Sequence, residues 1–184
     1  LTLESISSGA KVEEIFGLIA GYKIDKLRLE TELKAGGRLR YPAEFQKKHP
    51  HLVKKAITRF EGRHKKQKGL VAAQVELVKQ RRAELQQIAA RIEKNRNNLA
   101  LLDEQVAISK SLLEDKLTNR MSHLVLLREQ TLIKGQLSED EAALTRLKHA
   151  ISEAEIRIES IQNAFREEVG RELDEKTQSL NTLL

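Results

Sequence analysis

Apolar residues recur along this chain with two different periods, and the change between them marks out its elements. Between Lys11 and Lys34 they return every three or four positions, with Val12, Ile15, Ile19, Tyr22, Leu29 and Leu33 as the face to be buried. That spacing predicts an amphipathic helix over 11–35, and Glu13 and Glu14 suit the positive end of its dipole. Ahead of it, Leu1, Leu3 and Ile6 read as a short extended lead-in over 1–10, broken by Ser7-Ser8-Gly9. Behind it, Gly36-Gly37 stops the helix, because glycine accepts the left-handed conformation of a helix end. A loop over 36–49 follows, carrying Tyr41-Pro42 and one turn of helix from Ala43 to Lys47. Pro50 then opens the next helix, at a position where its missing N–H would be unpaired anyway.

The second period is seven. Val71, Val78, Leu85, Ile92, Leu99, Val106 and Leu113 follow one another at that interval, aliphatic throughout. Ile88 and Leu102 add a second seam position, while Gln74, Arg81, Asn95 and Ser109 dilute it. Sustained sevenfold spacing predicts a helix packed along a narrow stripe, as in a coiled coil. Running over 50–117, such a helix measures about 100 Å at ~1.5 Å per residue, more than a compact core can contain. A second string, Leu137, Leu144, Ile151, Ile158 and Phe165, is supported three positions on by Leu147, Ala154 and Ile161. It predicts a returning helix over 120–178 with a tail over 179–184, its spacing drifting at Val169, Leu173 and Leu180. The polar residues of the thinned outgoing seam, Arg82, Asn95 and Ser109, read as facing neighbours or water.

Between the strings the pattern fails at 115–120. Thr and Asn are poor helix-interior residues, and Asn tolerates the left-handed conformation of a tight turn. The reversal is therefore expected at Thr118-Asn119, although one straight rod satisfies the periodicity equally. Charge favours the reversal. Lys47 to Lys68 holds nine Lys/Arg and one acid, Glu61, whereas Glu167, Glu168, Glu172, Asp174 and Glu175 crowd the closing segment. A turn at 118–119 sets Glu168 to Glu175 opposite Arg63 to Gly69, which fixes register more than stability.

Composition narrows the function. In 184 residues there are 33 Lys+Arg and 27 Asp+Glu, a net charge of +6, with 3% aromatic residues and no Cys. Good helix formers with little aromatic bulk predict an all-α fold. The expected architecture is a long antiparallel two-helix coiled-coil hairpin with a shorter N-terminal helix packed near its base. No thiolate metal site is available, and His49, His51, His64, His123 and His149 lack ligand spacing. There is no phosphate loop, nucleophile elbow or acid–base carboxylate pair. The expectation is a protein that is not an enzyme and uses no cofactor or metal. The basic run Lys47 to Lys68 has the charge density of a nucleic-acid or anionic-membrane patch, but only Phe60 is interleaved as an aromatic, and a nucleic-acid partner is not expected. No stretch approaches the ~20 apolar residues that span a bilayer. The chain begins with Leu rather than Met and reads as a single helical domain excised from a larger protein.

Several local motifs add a resemblance covering about residues 11–180. Arg28-Leu29-Glu30-Thr31-Glu32-Leu33, the loop Leu39-Arg40-Tyr41-Pro42-Ala43-Glu44-Phe45, the helix opening Phe60-Glu61-Gly62-Arg63, the segment Leu112 to Met121 and Gly135-Gln136-Leu137 follow one another in order. In that order they resemble the helical domain of HlyD-family membrane fusion proteins, the periplasmic adaptors of bacterial type I secretion systems. The resemblance implies a part that bridges an inner-membrane ABC transporter to a TolC-like outer-membrane channel and self-associates into a ring, a hexamer in the family. It also implies a periplasmic location, anchored to the inner membrane through parts outside this segment. Related adaptors touch the channel through an Arg, a Leu four residues on and a Ser seven further. Here Leu112 holds the Leu position, with Ile108 and Asn119 at the other two. The resemblance points to Leu112, Lys116, Leu117, Thr118, Asn119 and Arg120 as the channel-facing residues. A generic coiled-coil arm or scaffold segment is the alternative, and a nucleic-acid-binding hairpin is a more distant one. The helix–loop–Tyr41-Pro42 element has no obvious use in a continuous rod.

Overall fold

A computed structural model describes the backbone of residues 2–34 and 37–184, and the side chains of that set from Val12 onward. Four α-helices follow one another: α1 (Thr2–Leu33), α2 (Ala43–Lys48), α3 (Pro50–Glu114) and α4 (Arg120–Leu183). No strand occurs among the described residues. The long helices α3 and α4 pack against each other antiparallel, and the chain divides into two compact units.

The first unit combines Leu1–Ala73 with Ile158–Leu184. Its core is the cluster Ile24, Tyr41, Val53 and Ala56, joined by Leu27, Leu39, Phe45 and Leu52. Leu29 and Val169 are also fully enclosed. Tyr41 is pinned from both sides: its hydroxyl donates to the Ile24 carbonyl at 3.1 Å, and the Gln46 amide donates to the Tyr41 carbonyl at 2.9 Å. Burial pushes the Tyr41 hydroxyl up to about 12, so it stays a donor at neutral pH. At the end of α1 the Gly37 N–H donates to the Lys34 carbonyl at 3.0 Å. A Cβ on Gly37 would stand 2.9 Å from the Thr31 carbonyl oxygen, so only glycine lets the chain turn this closely over the helix end.

The second unit spans Gln74–Arg157. Val78, Ile92 and Leu137 of the sevenfold strings are buried here, and Leu85, Leu99, Val106, Leu113, Leu144 and Ile151 are half-buried. In the first unit Val71, Ile158 and Phe165 are half-buried too.

Several expectations are corrected. The lead-in is not extended: α1 is helical from Thr2, with Leu1 outside the described residues. One glycine and two serines weaken a helix by only ~1 kcal/mol each at most, which does not break it. Glu13 and Glu14 therefore lie in a helix interior, and Val12, Ile15 and Leu33 are exposed rather than buried. The expected stop at Gly36-Gly37 falls partly outside the described residues, and α1 ends at Leu33. The outgoing helix stops at Glu114, short of 117, and the returning helix runs on through the expected tail to Leu183. Asn95 and Ser109 do not face water but are buried. Arg82 is exposed and paired with Glu155 at 2.7 Å.

Candidate functional site: the reversal and two charged clusters

The reversal is built by two caps. Leu117 N–H donates to the Leu112 carbonyl at 2.8 Å, and Lys116 N–H to the Leu113 carbonyl at 3.2 Å. That pair of bonds is the Schellman closure of a helix C-terminus, which requires a left-handed residue. Lys116 supplies it with φ 61, the one non-glycine residue at positive φ among those described. Asn119 does a different job from the one expected of it. Its Oδ1 accepts from the Ser122 N–H at 2.9 Å and the Ser122 hydroxyl at 3.1 Å, capping α4. The turn thus starts three residues earlier than Thr118-Asn119, because the residue that enters left-handed space is chosen by the bonds it closes rather than by its own propensity.

Around these caps, Leu112, Lys116, Leu117, Asn119 and Arg120 are exposed, and Thr118 is half-buried. Apolar side chains that the sequence reading did not gather stand exposed with them: Met121, Leu124, Val125 and Ile108, with Leu101 and Leu132 further along. Leu117 and Met121 are 73% and 72% exposed. Within the second unit the two flanks of the helix pair differ. With Ile92, Leu99, Val106, Leu137 and Leu144 at heptad position a, the cross-helix ion pairs Arg82–Glu155 at 2.7 Å and Arg96–Glu141 at 2.8 Å lie at e positions. Leu101, Ile108, Val125 and Leu132 lie at c, and Leu112 at g. In an antiparallel pair the e positions share one flank and the c and g positions the other. One flank carries these two cross-helix ion pairs, and the opposite one carries the exposed aliphatic residues toward the reversal. The signal was present in the sequence as aliphatic residues off the seam, at intervals of seven.

Between the flanks, polar groups key the seam. Arg91 Nε donates to Asp140 Oδ2 at 2.8 Å, with a second bond from Nη2 to Oδ1. That hydrogen bonding holds the Asp140 carboxyl below its ordinary value, the residual burial opposing it. Ser109 Oγ lies 3.1 Å from His123 Nδ1, and the Gln130 amide donates to Asp103 at 2.6 Å.

The second cluster is in the first unit. Arg63 Nη1 donates to both oxygens of Glu172 at 2.8 and 2.7 Å and Nη2 to Glu168 at 3.2 Å, while Nε stands 3.5 Å from Glu32 Oε2. Arg28 donates to the other Glu32 oxygen at 2.6 Å and approaches Glu172 at 3.6 Å. The Arg28 and Glu32 side chains are 3% and 2% exposed. Burial opposes the Arg28 charge, but Glu32 and Asp25 outweigh it and raise its pKa. Arg63 also lies over the Phe165 ring at 5.6 Å. One guanidinium therefore joins α1, α3 and α4.

The histidines do not converge. His64 stacks on Phe60 at 5.9 Å, His123 meets Ser109, and His51 and His149 are exposed. Among the described residues no group of three or more His, Cys, Asp or Glu could hold a metal ion. No described helix is long and apolar enough to cross a membrane.

A helix pair of this length, reversed through paired caps, is the signature of a long α-helical hairpin. Residues 8–184 match the family model described as AprE, long α-helical hairpin, and the chain belongs to that family. Its fold is also similar to the crystal structure of the soluble domain of LipC, a membrane fusion protein of a type I secretion system. The TM-score is 0.92 at 15% identity, over 97% of this chain and 69% of that one. A comparison with curated protein sequences finds no match.

Proposed function

We propose that this chain is the helical-hairpin part of a periplasmic adaptor in a type I secretion system. It works by assembly rather than by catalysis, joining an inner-membrane ABC transporter to a TolC-like outer-membrane channel. Membership of the AprE hairpin family and the fold likeness to LipC support this reading. The observation that carries it is the display of apolar side chains at the reversal, where Leu117 and Met121 spend about three quarters of their surface on water. Exposed apolar patches of this kind mark protein contacts. In this reading Leu112, Lys116, Leu117, Thr118, Asn119 and Arg120, with Met121, meet the channel. Adaptor copies associate side by side in a ring, hexameric as in the family, and other parts of the polypeptide anchor it to the inner membrane.

Export by cells carrying Leu117→Asp with Met121→Asp tests the reading. Both residues are exposed, so helicity and melting temperature should stay unchanged while export of the cargo falls. Undiminished export with a stably expressed variant would remove the reversal from the contact with the channel.

A further inference from the structure

The loop ahead of α2 has no part in the reading above, and its side chains alternate in exposure as those of a strand do. Along 38–42 the side chains alternate: Arg38 and Arg40 exposed, Leu39 half-buried, Tyr41 buried, Pro42 exposed. Alternation with period two is the mark of an extended strand. Among the described residues, the backbone N–H groups of Arg38, Leu39, Arg40 and Tyr41 donate to no backbone acceptor. The segment is nonetheless held in place from behind, by the Tyr41 hydroxyl on Ile24, by Gln46 on the Tyr41 carbonyl and by the close approach of Gly37 to Thr31. An ordered extended segment with an open edge is a template for strand addition.

Beside that edge runs a groove of about 660 Å³. Leu39, Tyr41, Val53 and Ile57 form its apolar floor, and Arg40 and Lys54 stand on its rim. Arg38, Arg40, Lys54, Lys55 and Arg59 are all exposed. In this stretch the ion pairs among described residues are those of Lys48 with Glu44 and of Arg63. Among the described residues these rim cations have no acidic partner within ion-pair distance.

We propose that the loop 38–42 and this groove dock an extended acidic segment of a partner protein, which adds to the loop as a strand. Carboxylates at alternate positions meet the guanidinium and ammonium groups, as charge-assisted bonds. Intervening aliphatic side chains fill the floor. A lipid or nucleic-acid phosphate satisfies the cations but brings no alternating amide backbone to the open edge. The inference stands on the loop geometry and is independent of the export reading.

The test is fluorescence anisotropy with the whole chain and a capped, fluorescein-labelled Glu-Val-Glu-Val-Glu peptide. Three arms run beside it: the same peptide N-methylated at alternate amides, phosphatidylglycerol vesicles, and duplex DNA. Saturable binding is expected, weakened about tenfold by Arg40→Glu with Lys54→Glu, and weakened comparably by N-methylation. Both side chains are exposed, so an unchanged circular dichroism spectrum accompanies the loss. The N-methylated arm keeps the test decisive even for a variant that misfolds, because it uses the unaltered chain. Equal binding of the N-methylated peptide would reduce the site to a diffuse charge effect and overturn the proposal. So would absent peptide binding, with or without binding of vesicles or DNA.

Discussion

The two compact units hold their helices together by different means. In the first, α1, the loop and α2 close a core on α3, α4 adds the buried Val169 and Leu180, and buried ions lock the helices: Arg28 and Glu32 are almost wholly withdrawn from water, and Arg63 reaches acids on α1 and α4 at once. In the second, only α3 and α4 meet, along a stripe of aliphatic residues interrupted by Asn95, Ser109 and Asp140. A third helix gives enough enclosure to bury a charge network, which then costs dearly to break but fixes a single arrangement. Two helices alone bury a narrow seam and leave large apolar side chains outside it, as Leu101, Ile108 and Leu132 are left. The difference teaches that enclosure decides what an ion pair is worth, and that a two-helix pair leaves apolar surface uncovered.

The sharpest way to break the comparison is to remove one guanidinium from each unit. Arg63→Ala removes the bonds to Glu172 and Glu168 and leaves the enclosed Glu32 to Arg28 alone, and is expected to lower stability by about 3 kcal/mol, whereas Arg82→Ala, whose pair with Glu155 is exposed, should leave thermal melts within error. Equal melts for the two variants would erase the distinction between a buried lock and a surface pair. Next in size comes the seam. Leu99→Asp places a carboxylate among half-buried aliphatics and should cost about 2 kcal/mol, while Leu101→Asp, two residues away on the exposed flank, should not. Circular dichroism melts of both variants check this.

The units also differ in the pH range where they are vulnerable. Tyr41, raised to about 12, favours its protonated form more in the folded chain than in the unfolded one. Its stabilisation is complete below pH ~10 and is lost as the pH climbs toward 12. Asp140, lowered by Arg91, works in the opposite sense. Its contribution is complete above pH ~4 and is lost as the pH falls through the depressed value. Melting curves against pH should lose their alkaline slope in Tyr41→Phe and part of their acid slope in Asp140→Asn; a slope that survives its own substitution contradicts the assignment. The smallest effect is expected at the reversal. Lys116→Gly relieves a left-handed lysine and should raise stability by about 0.5 kcal/mol after the entropy of the unfolded glycine is counted, read as a small upward shift in urea midpoint.

Much of this architecture is legible in residue spacing. The seam from Val78 to Val106 and from Leu137 to Ile151 stands out because one buried stripe on a helix imposes a single period. The facing charge blocks anticipate Arg63 against Glu168 and Glu172, since like and opposite charges sort by register. What spacing does not carry is the identity of partners in three dimensions. That Glu32 joins the same cluster depends on how α1 packs, and no periodicity encodes it. Likewise the left-handed residue is Lys116, a type with no preference for that conformation, because two carbonyls of α3 needed closing. The exposed flank was visible as Leu101, Ile108, Val125 and Leu132, yet their aliphatic character invited no reading until their exposure was known.

The separations in sequence of the cross-helix bonds have a consequence for the order of assembly. Ser109 finds His123 only 14 residues away, Arg96 and Glu141 are 45 apart, Arg82 and Glu155 are 73 apart, and Arg63 must wait for Glu172 at 109. Each step lengthens the loop only slightly if its predecessor is already closed, because closure entropy is charged on the added residues. The chain is thus expected to zip from its turn outward, and the cluster around the Glu32 carboxylate is completed only when α4 has been made as far as Glu172. A chain cut short before Glu168 keeps every contact of the second unit and lacks the Arg63 bonds to α4 that tie α1 into place.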